Sequence, residues 1–217
     1  AISIAFNASQ SDILGLFSAT AANGKITLAS GTKYVGISLD DGLQIKPLDL
    51  AAMDADLSAK AGTAVHTWLG SSTTGFIASI YQAPTLGAAA DGIYRFGTGG
   101  SQGNTLIGNG VFENILTGAN SVVLGALPGG ASGNGEDALI NGNVIFGAST
   151  RQDYSGNLII NRDVTYNFSN TFGQGTGHIV INEAAGLGGA LQTFSGSISP
   201  GNAVDLVGDL NWQGNGD

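Results

Sequence analysis

The chain has 217 residues and no cysteine, and its 16 acidic residues against only 7 lysine and arginine residues give a net charge of −9. So few cations exclude the basic face with which nucleic-acid-binding proteins displace counterions from phosphates. Although the mean hydropathy is +0.19, the apolar residues come in short runs that exclude a transmembrane helix. The 36 glycines and low charged fraction are typical of a β-rich, turn-dense secreted or surface protein.

Residues 9–23 are predicted to form the first helix. Ser9 suits an N-cap, an apolar patch follows it, and Asn23-Gly24 is a typical C-terminal stop. The chain opens at Ala1 without a methionine or a charged leader, so we expect a mature product or an excised fragment.

Short strands are predicted over residues 25–29, 34–39, 43–46, 65–69 and 76–81. The first three are separated by turns that contain Gly31 and Gly42, where glycine tolerates a positive φ. We therefore expect these three strands to form an antiparallel meander.

A second helix is predicted over residues 48–60. Leu50, Met53 and Leu57 are spaced by three and four positions, which places them on one helical face. Pro47 at the start and Gly62 at the end fit the usual boundaries of a helix. Asp54 and Asp56 flank this apolar face, and we expect both to be solvated.

The composition changes near residues 97–103. Before residue 101 there are 18 alanines, 4 lysines and 2 asparagines, whereas from residue 101 onward there are 9 alanines, no lysine and 15 asparagines. We therefore predict an α+β N-terminal region over residues 1–100 and a second region over residues 101–217. The alternative is that residues 97–103 form one loop within a single continuous fold.

The second region contains short aliphatic runs, all interpreted as strands, that recur at similar offsets. Residues 122–126 (VVLGA) match residues 144–148 (VIFGA) at an offset of 22, and residues 158–161 (LIIN) match residues 179–182 (IVIN) at an offset of 21. Residues 113–118 (ENILTG) resemble residues 137–142 (DALING) at an offset of 24. Offsets of this size are typical of the coils of a parallel β-helix.

The predicted fold is therefore mainly β, with a parallel β-helix, or solenoid, in the second half and an α+β N-terminal part. Asparagine and glycine at the turns fit this fold, because both tolerate left-handed backbone conformations. The alternative is an antiparallel sandwich or jelly roll, whose strands recur every 8 to 12 residues or so.

Some aliphatic side chains are predicted to point away from the core. In each matched run the middle residue faces opposite to its neighbours, yet it is also aliphatic. These residues are Val123, Ile145, Ile159 and Val180. We expect them to be covered by the N-terminal helices or by another subunit, and to contribute to self-association.

One segment resembles a calcium-binding turn. Residues 132–140 (SGNGEDALI) match the repeat-in-toxin nonapeptide apart from Ser132 at its first glycine. The resemblance implies Ca²⁺ as a candidate ligand, with Glu136 and Asp137 as candidate metal residues, because carboxylates and turn carbonyls suit this ion. The next nine residues do not repeat the motif, although the family binds Ca²⁺ between tandem copies, so a glycine-rich turn is the alternative.

No other motif indicates catalysis or a cofactor. His66 and His178 are the two histidines, and each is interpreted as a packing or hydrogen-bonding residue of a strand. Phosphate loops, nucleophile elbows and zinc-ligand spacings are absent from the sequence. The sequence therefore favours a non-enzymatic protein, although it leaves the question of enzymatic activity open.

The second half resembles the passenger region of bacterial autotransporters and related filamentous surface adhesins. The segments that carry the resemblance are residues 104–110 (NTLIGNG), 113–120 (ENILTGAN), 143–148 (NVIFGA) and 156–161 (GNLIIN). It implies a secreted or cell-surface β-helix that adheres to a host or surface ligand or to itself. The alternatives are a carbohydrate-active β-helix enzyme, such as a polysaccharide lyase or hydrolase, and a surface-layer or filament subunit.

Overall fold

The structure of the chain is a computed structural model. It describes residues 2–3, 7–39, 43–70, 79–97, 99–107, 114–125, 141–146, 152–160, 164–166, 177–181, 190–193, 203–206 and 211–214.

The described residues form two helices and a long series of short strands. The helices are α1 (Gln10–Leu14) and α2 (Leu50–Ala61). In chain order the strands are β1 (Ile2–Ser3), β2 (Phe17–Ser18), β3 (Ile26–Thr27), β4 (Tyr34–Ser38), β5 (Leu43–Gln44), β6 (Leu48–Asp49), β7 (His66–Gly70), β8 (Ser79–Tyr81), β9 (Leu86–Gly87), β10 (Ile93–Phe96), β11 (Gly99–Ile107), β12 (Ser121–Leu124), β13 (Asn141–Phe146), β14 (Leu158–Ile160), β15 (Val164–Tyr166), β16 (Ile179–Ile181), β17 (Ala190–Thr193), β18 (Val204–Leu206) and β19 (Asn211–Gly214).

Helix α2 confirms the second helix prediction. The carboxylate of Asp49 caps its first turn by accepting hydrogen bonds from the backbone N–H groups of Ala51 and Ala52. Gly62 ends it with φ +67°, a left-handed conformation that glycine adopts without strain. The predicted apolar face is fully buried, so α2 is held by the core as well as by its caps.

Helix α1 is shorter than predicted. Ser9 and Asp12 form a capping box, and the hydrogen bonds from Ser9 lower the pKa of the Asp12 carboxyl. The helix ends at Leu14 because β2 follows it and pairs with β3. The prediction of one helix over residues 9–23 was therefore wrong after its first turns.

All described strand pairs are parallel. The largest sheet has eight strands in the order β1-β4-β7-β10-β12-β14-β16-β18, and the smaller sheets have the orders β13-β11-β8-β5, β15-β17-β19, β2-β3 and β6-β9. The predicted antiparallel meander was wrong, since β3, β4 and β5 lie in three different sheets. Gly31, in the turn between β3 and β4, does have the expected positive φ, +87°.

The molecule is thus a mixed structure of parallel sheets with a few helices. From β4 onward, strands of the eight-stranded sheet alternate along the chain with strands of the smaller sheets. Pairing also continues across residue 100, because β10 pairs with β12 and β8 pairs with β11. The division into residues 1–100 and 101–217 stays a prediction.

The register tests the sequence repeats directly. Leu158 pairs with Ile179, so the match at an offset of 21 is confirmed as a pair of neighbouring strands. The match at an offset of 22 was wrong, because Val122 pairs with Leu158 whereas Val144 pairs with Thr105 in another sheet. The match of 113–118 to 137–142 cannot be placed, since residues 137–140 lie outside the described part of the chain.

One apolar core joins α1 and α2 to the eight-stranded sheet. It contains Ile13 of α1, the buried face of α2, and the buried residues Leu69, Phe96 and Val122 of successive strands. The Tyr81 hydroxyl accepts a hydrogen bond from the Leu48 backbone and donates one to the Thr85 carbonyl, and burial raises its pKa. The helices therefore pack into the same core as the inward side of the sheet.

The backbone packs tightly just before β14 and β16 begin. A Cβ on Gly156 would overlap the carbonyl oxygen of Asn120, and a Cβ on Gly177 would overlap that of Gly156. No side chain fits at either position, so glycine is required at both for this stacking.

Candidate interaction surface

Five residues on neighbouring strands of the eight-stranded sheet form what we call the outer row. In register they are Arg95 (β10), Val123 (β12), Ile159 (β14), Val180 (β16) and Asp205 (β18). Because parallel strands lie about 4.8 Å apart, equivalent side chains stack vertically across the sheet. The outer row therefore places three aliphatic side chains side by side between a cation and an anion.

The aliphatic members of the outer row point away from the main core. Their sequence neighbours Val122, Leu158 and Ile179 are at most 2% exposed and belong to that core. Val123, Ile159 and Val180 are only partly buried, as expected when successive side chains of a strand face opposite sides. Three of the four outward residues named from the sequence are thus brought together.

The fourth outward residue lies elsewhere. Ile145 is in β13 and pairs with Leu106 of β11, so it belongs to a different sheet and not to the outer row. The sequence could not separate the two sheets, because VVL in β12 and VIF in β13 carry the same aliphatic pattern.

A small aromatic cluster lies beside the outer row. Trp68 of β7 is 5% exposed and packs against Tyr34 and Val123, separately from the main core. Its indole N–H is buried and has no hydrogen-bond partner in the described part of the chain. The buried apolar residues of α1 and α2 belong to the main core and not to this cluster.

An ion pair stands at the β10 end of the outer row. The Arg95 guanidinium binds the Asp91 carboxylate through two hydrogen bonds, and the Arg95 side chain is 8% exposed against 41% for Asp91. Burial by itself would raise the pKa of Asp91, but the hydrogen bond and the charge of Arg95 outweigh it and lower that pKa.

A histidine–carboxylate contact stands at the β18 end. Nδ1 of His178 lies 2.6 Å from Oδ2 of Asp205, and each side chain is about half exposed. The interpretation of His178 as a hydrogen-bonding residue of a strand fits this contact. It bonds a carboxylate at the surface and not a group in the core.

Asp54 corrects the expectation that it is solvated. It is 8% exposed, and its Oδ1 accepts the Thr67 backbone N–H at 2.6 Å. Its Oδ2 lies 3.4 Å from Nδ1 of His66, whose ring also contacts Tyr34. Asp54 therefore ties α2 to the first residues of β7. The amphipathic pattern of α2 could not reveal this, because the pattern marks a face and not what lies opposite it.

The other described carboxylates also have partners within the chain. Asp12 and Asp49 cap the two helices, and Asp56 pairs with Lys60. Asp153 accepts a hydrogen bond from Asn114. In the described ranges each carboxylate thus has a structural contact.

The candidate calcium residues Glu136 and Asp137 lie outside the described residues, so the calcium site stays a prediction. Within the described ranges, no group of three or more histidine and acidic side chains is arranged to hold a metal ion. Nor does either described helix have the length and apolar character needed to cross a membrane. Comparisons of the chain with protein-family models, curated proteins and solved structures give no match.

Proposed function

We propose that this chain is a non-enzymatic extracellular or cell-surface protein with a structural or adhesive role, which self-associates or binds a surface ligand through the outer row. The observation that carries the proposal is the alignment of Val123, Ile159 and Val180 in register on the outward side of one sheet. A continuous aliphatic strip that is only partly buried is typical of a binding surface.

The proposed architecture is a parallel β-helix. The regular alternation of strands between the eight-stranded sheet and the smaller sheets supports it, as does the exclusively parallel pairing of the described strands. Winding in coils accounts for both features, because each coil then adds one strand to each sheet. A surface built in this way extends with every added coil, which suits a structural or adhesive role.

The proposed location rests on composition. A chain with a net charge of −9 and no cysteine stays soluble by like-charge repulsion and needs no particular redox environment. The outer row then supplies a local apolar contact on an otherwise acidic protein.

Sedimentation velocity over a wide range of protein concentrations tests the proposal. We expect the average mass of the wild-type chain to rise with concentration. The triple variant Val123→Thr, Ile159→Thr, Val180→Thr keeps β-branched side chains at all three strand positions but adds hydroxyls, and it should stay monomeric. The matched control is Ile26→Thr, which changes an apolar side chain that is 41% exposed and lies outside the outer row.

Two results would contradict self-association through this surface. One is a wild-type chain that stays monomeric at every concentration. The other is a triple variant that associates as strongly as the wild type. Binding to polymer surfaces or polysaccharides that is lost in the triple variant and kept in Ile26→Thr would instead support the ligand-binding form of the proposal.

A further inference from the structure

The aliphatic part of the outer row has the same order of residue types from either end. Ile159 is at the centre, with Val123 on one side and Val180 on the other, each one strand away. Each end carries a charged residue in register with the row, Arg95 at one end and Asp205 at the other. A surface that is symmetric in this way can be complementary to a second copy of itself.

We propose that a second copy of this chain docks on the outer row about a two-fold axis that passes Ile159 and runs along its strand. This inference rests on the proposed self-association and specifies its geometry. The rotation reverses the order of the row, so Ile159 faces the partner's Ile159 and Val123 faces the partner's Val180. The three aliphatic side chains of each copy then cover those of the other.

Two face-to-face arrangements are compared, with the two-fold axis running either along the strands or across them. The charges favour the axis along the strands. Reversal places Arg95 of one copy opposite the partner's Asp205 at both ends of the row, so a cation faces an anion. An axis running across the strands would keep the order of the row and place the exposed Asp205 opposite the partner's Asp205. Like charges in contact disfavour that arrangement.

Single-cysteine variants test the geometry, because the natural chain has no cysteine. Facing sheets pack about 10 Å apart, which is too far for a disulfide and within reach of a short bis-maleimide. The variants are Ile159→Cys, Val123→Cys, Val180→Cys and, as the control for random collisions, Ile26→Cys. Each is treated with the crosslinker, alone or in mixtures, and covalent dimer is followed on a denaturing gel.

We expect Ile159→Cys to crosslink with itself about 1,000-fold faster than Ile26→Cys, because docking raises the effective thiol concentration from about micromolar to about millimolar. Val123→Cys should crosslink quickly only when it is mixed with Val180→Cys. Quick crosslinking of Val123→Cys with itself would overturn the reversed orientation.

The proposed function and this geometry fail in different ways. If sedimentation shows association and none of the row variants crosslinks faster than Ile26→Cys, the geometry is wrong while self-association stands. If sedimentation shows only monomers and no row variant exceeds the control, both are wrong.

Discussion

Arg95 shows how a charged residue is tolerated in the middle of an apolar strand. Its neighbours Tyr94 and Phe96 point into the core, whereas its own side chain lies on the outward face and binds Asp91 four residues earlier. Arginine suits this position because its planar fork can bind both oxygens of a carboxylate. The ion pair therefore holds the turn before β10 against the strand itself.

This ion pair predicts a loss of stability in acid. The folded pKa of Asp91 is below its usual value of 3.8, so the stabilisation is complete above that pH and is lost as the pH falls through the lowered value. Because Asp91 is substantially exposed, we expect Asp91→Asn to lower the free energy of unfolding by only about 1 kcal/mol at pH 7. Urea unfolding at pH 7 and near pH 2 measures this difference.

The expected signature is that wild type and Asp91→Asn differ at pH 7 and converge in acid. Asp205→Asn is the control, since its contact with His178 is about half exposed on both sides and should contribute less. A difference between wild type and Asp91→Asn that stays constant with pH would contradict the assignment.

Among the elements, α2 was largely predictable and α1 was not. The spacing of Leu50, Met53 and Leu57 fixes both the type and the buried face of α2, and Gly62 marks its end. The end of α1 depends instead on the pairing of β2 with β3, which is a contact between separate segments. Local patterns predict an element well when its own residues determine its limits, and poorly when a neighbour does.

The attachment of α2 to the sheet depends on one carboxylate. In Asp54→Ala, the Thr67 N–H loses its acceptor in a buried position, and we expect the free energy of unfolding to fall by about 1–3 kcal/mol. Asp56→Ala is the matched control on the same helix, because it removes an ion pair with Lys60 that is partly exposed. That change should cost about 0.3–0.5 kcal/mol.

Urea unfolding at constant m-value measures both variants of α2. Equal losses in the two variants would show that the Thr67 hydrogen bond does not hold the helix to β7. Alanine has a high helix propensity, so neither variant weakens the helix through its backbone preference.

For the whole molecule, the parallel strands were predictable only where the connections are short. Leu158 and Ile179 are 21 positions apart, within the range that the repeats indicated, whereas Val122 and Leu158 are 36 positions apart. Between β12 and β14 the chain contributes strand β13 to another sheet, and β13 resembles β12 in sequence. Variable connections and similar strands in different sheets therefore hide the true neighbours.

The variable connections also limited how much of the outer row could be predicted from the sequence. Its members in β12, β14 and β16 were identified from the alternation within each strand, which is a local property. Their assembly into one row, and the separation of Ile145 from it, depends on register between strands. The two charged ends of the row, Arg95 and Asp205, gave no repeat signal at all.

The close packing at Gly156 and Gly177 predicts where the sheet tolerates substitution least. Gly177→Ala would make its Cβ overlap the backbone carbonyl oxygen of Gly156, so successive strands must move apart, and we expect a loss of about 3 kcal/mol. Gly24→Ala is the control: it has φ +71° and open space around it, so only the cost of the left-handed backbone applies. That cost is about 1 kcal/mol.

Thermal and urea unfolding of the two glycine variants distinguish these costs. If Gly177→Ala is no less stable than Gly24→Ala, the strands do not pack as closely as described. Gly156→Ala should resemble Gly177→Ala, because its Cβ would overlap the Asn120 carbonyl oxygen.

The parallel pairing of the described strands has a kinetic consequence. Among the described strands no tight hairpin can start the eight-stranded sheet, because each strand and its neighbour there are separated by a complete excursion of the chain. Closing each of these excursions costs entropy before the two strands can pair, so folding should be slow. Once one pair has formed, pairing should spread from it to the next strand. At each stage the outer edge of the last paired strand has free backbone groups with which the next strand can pair.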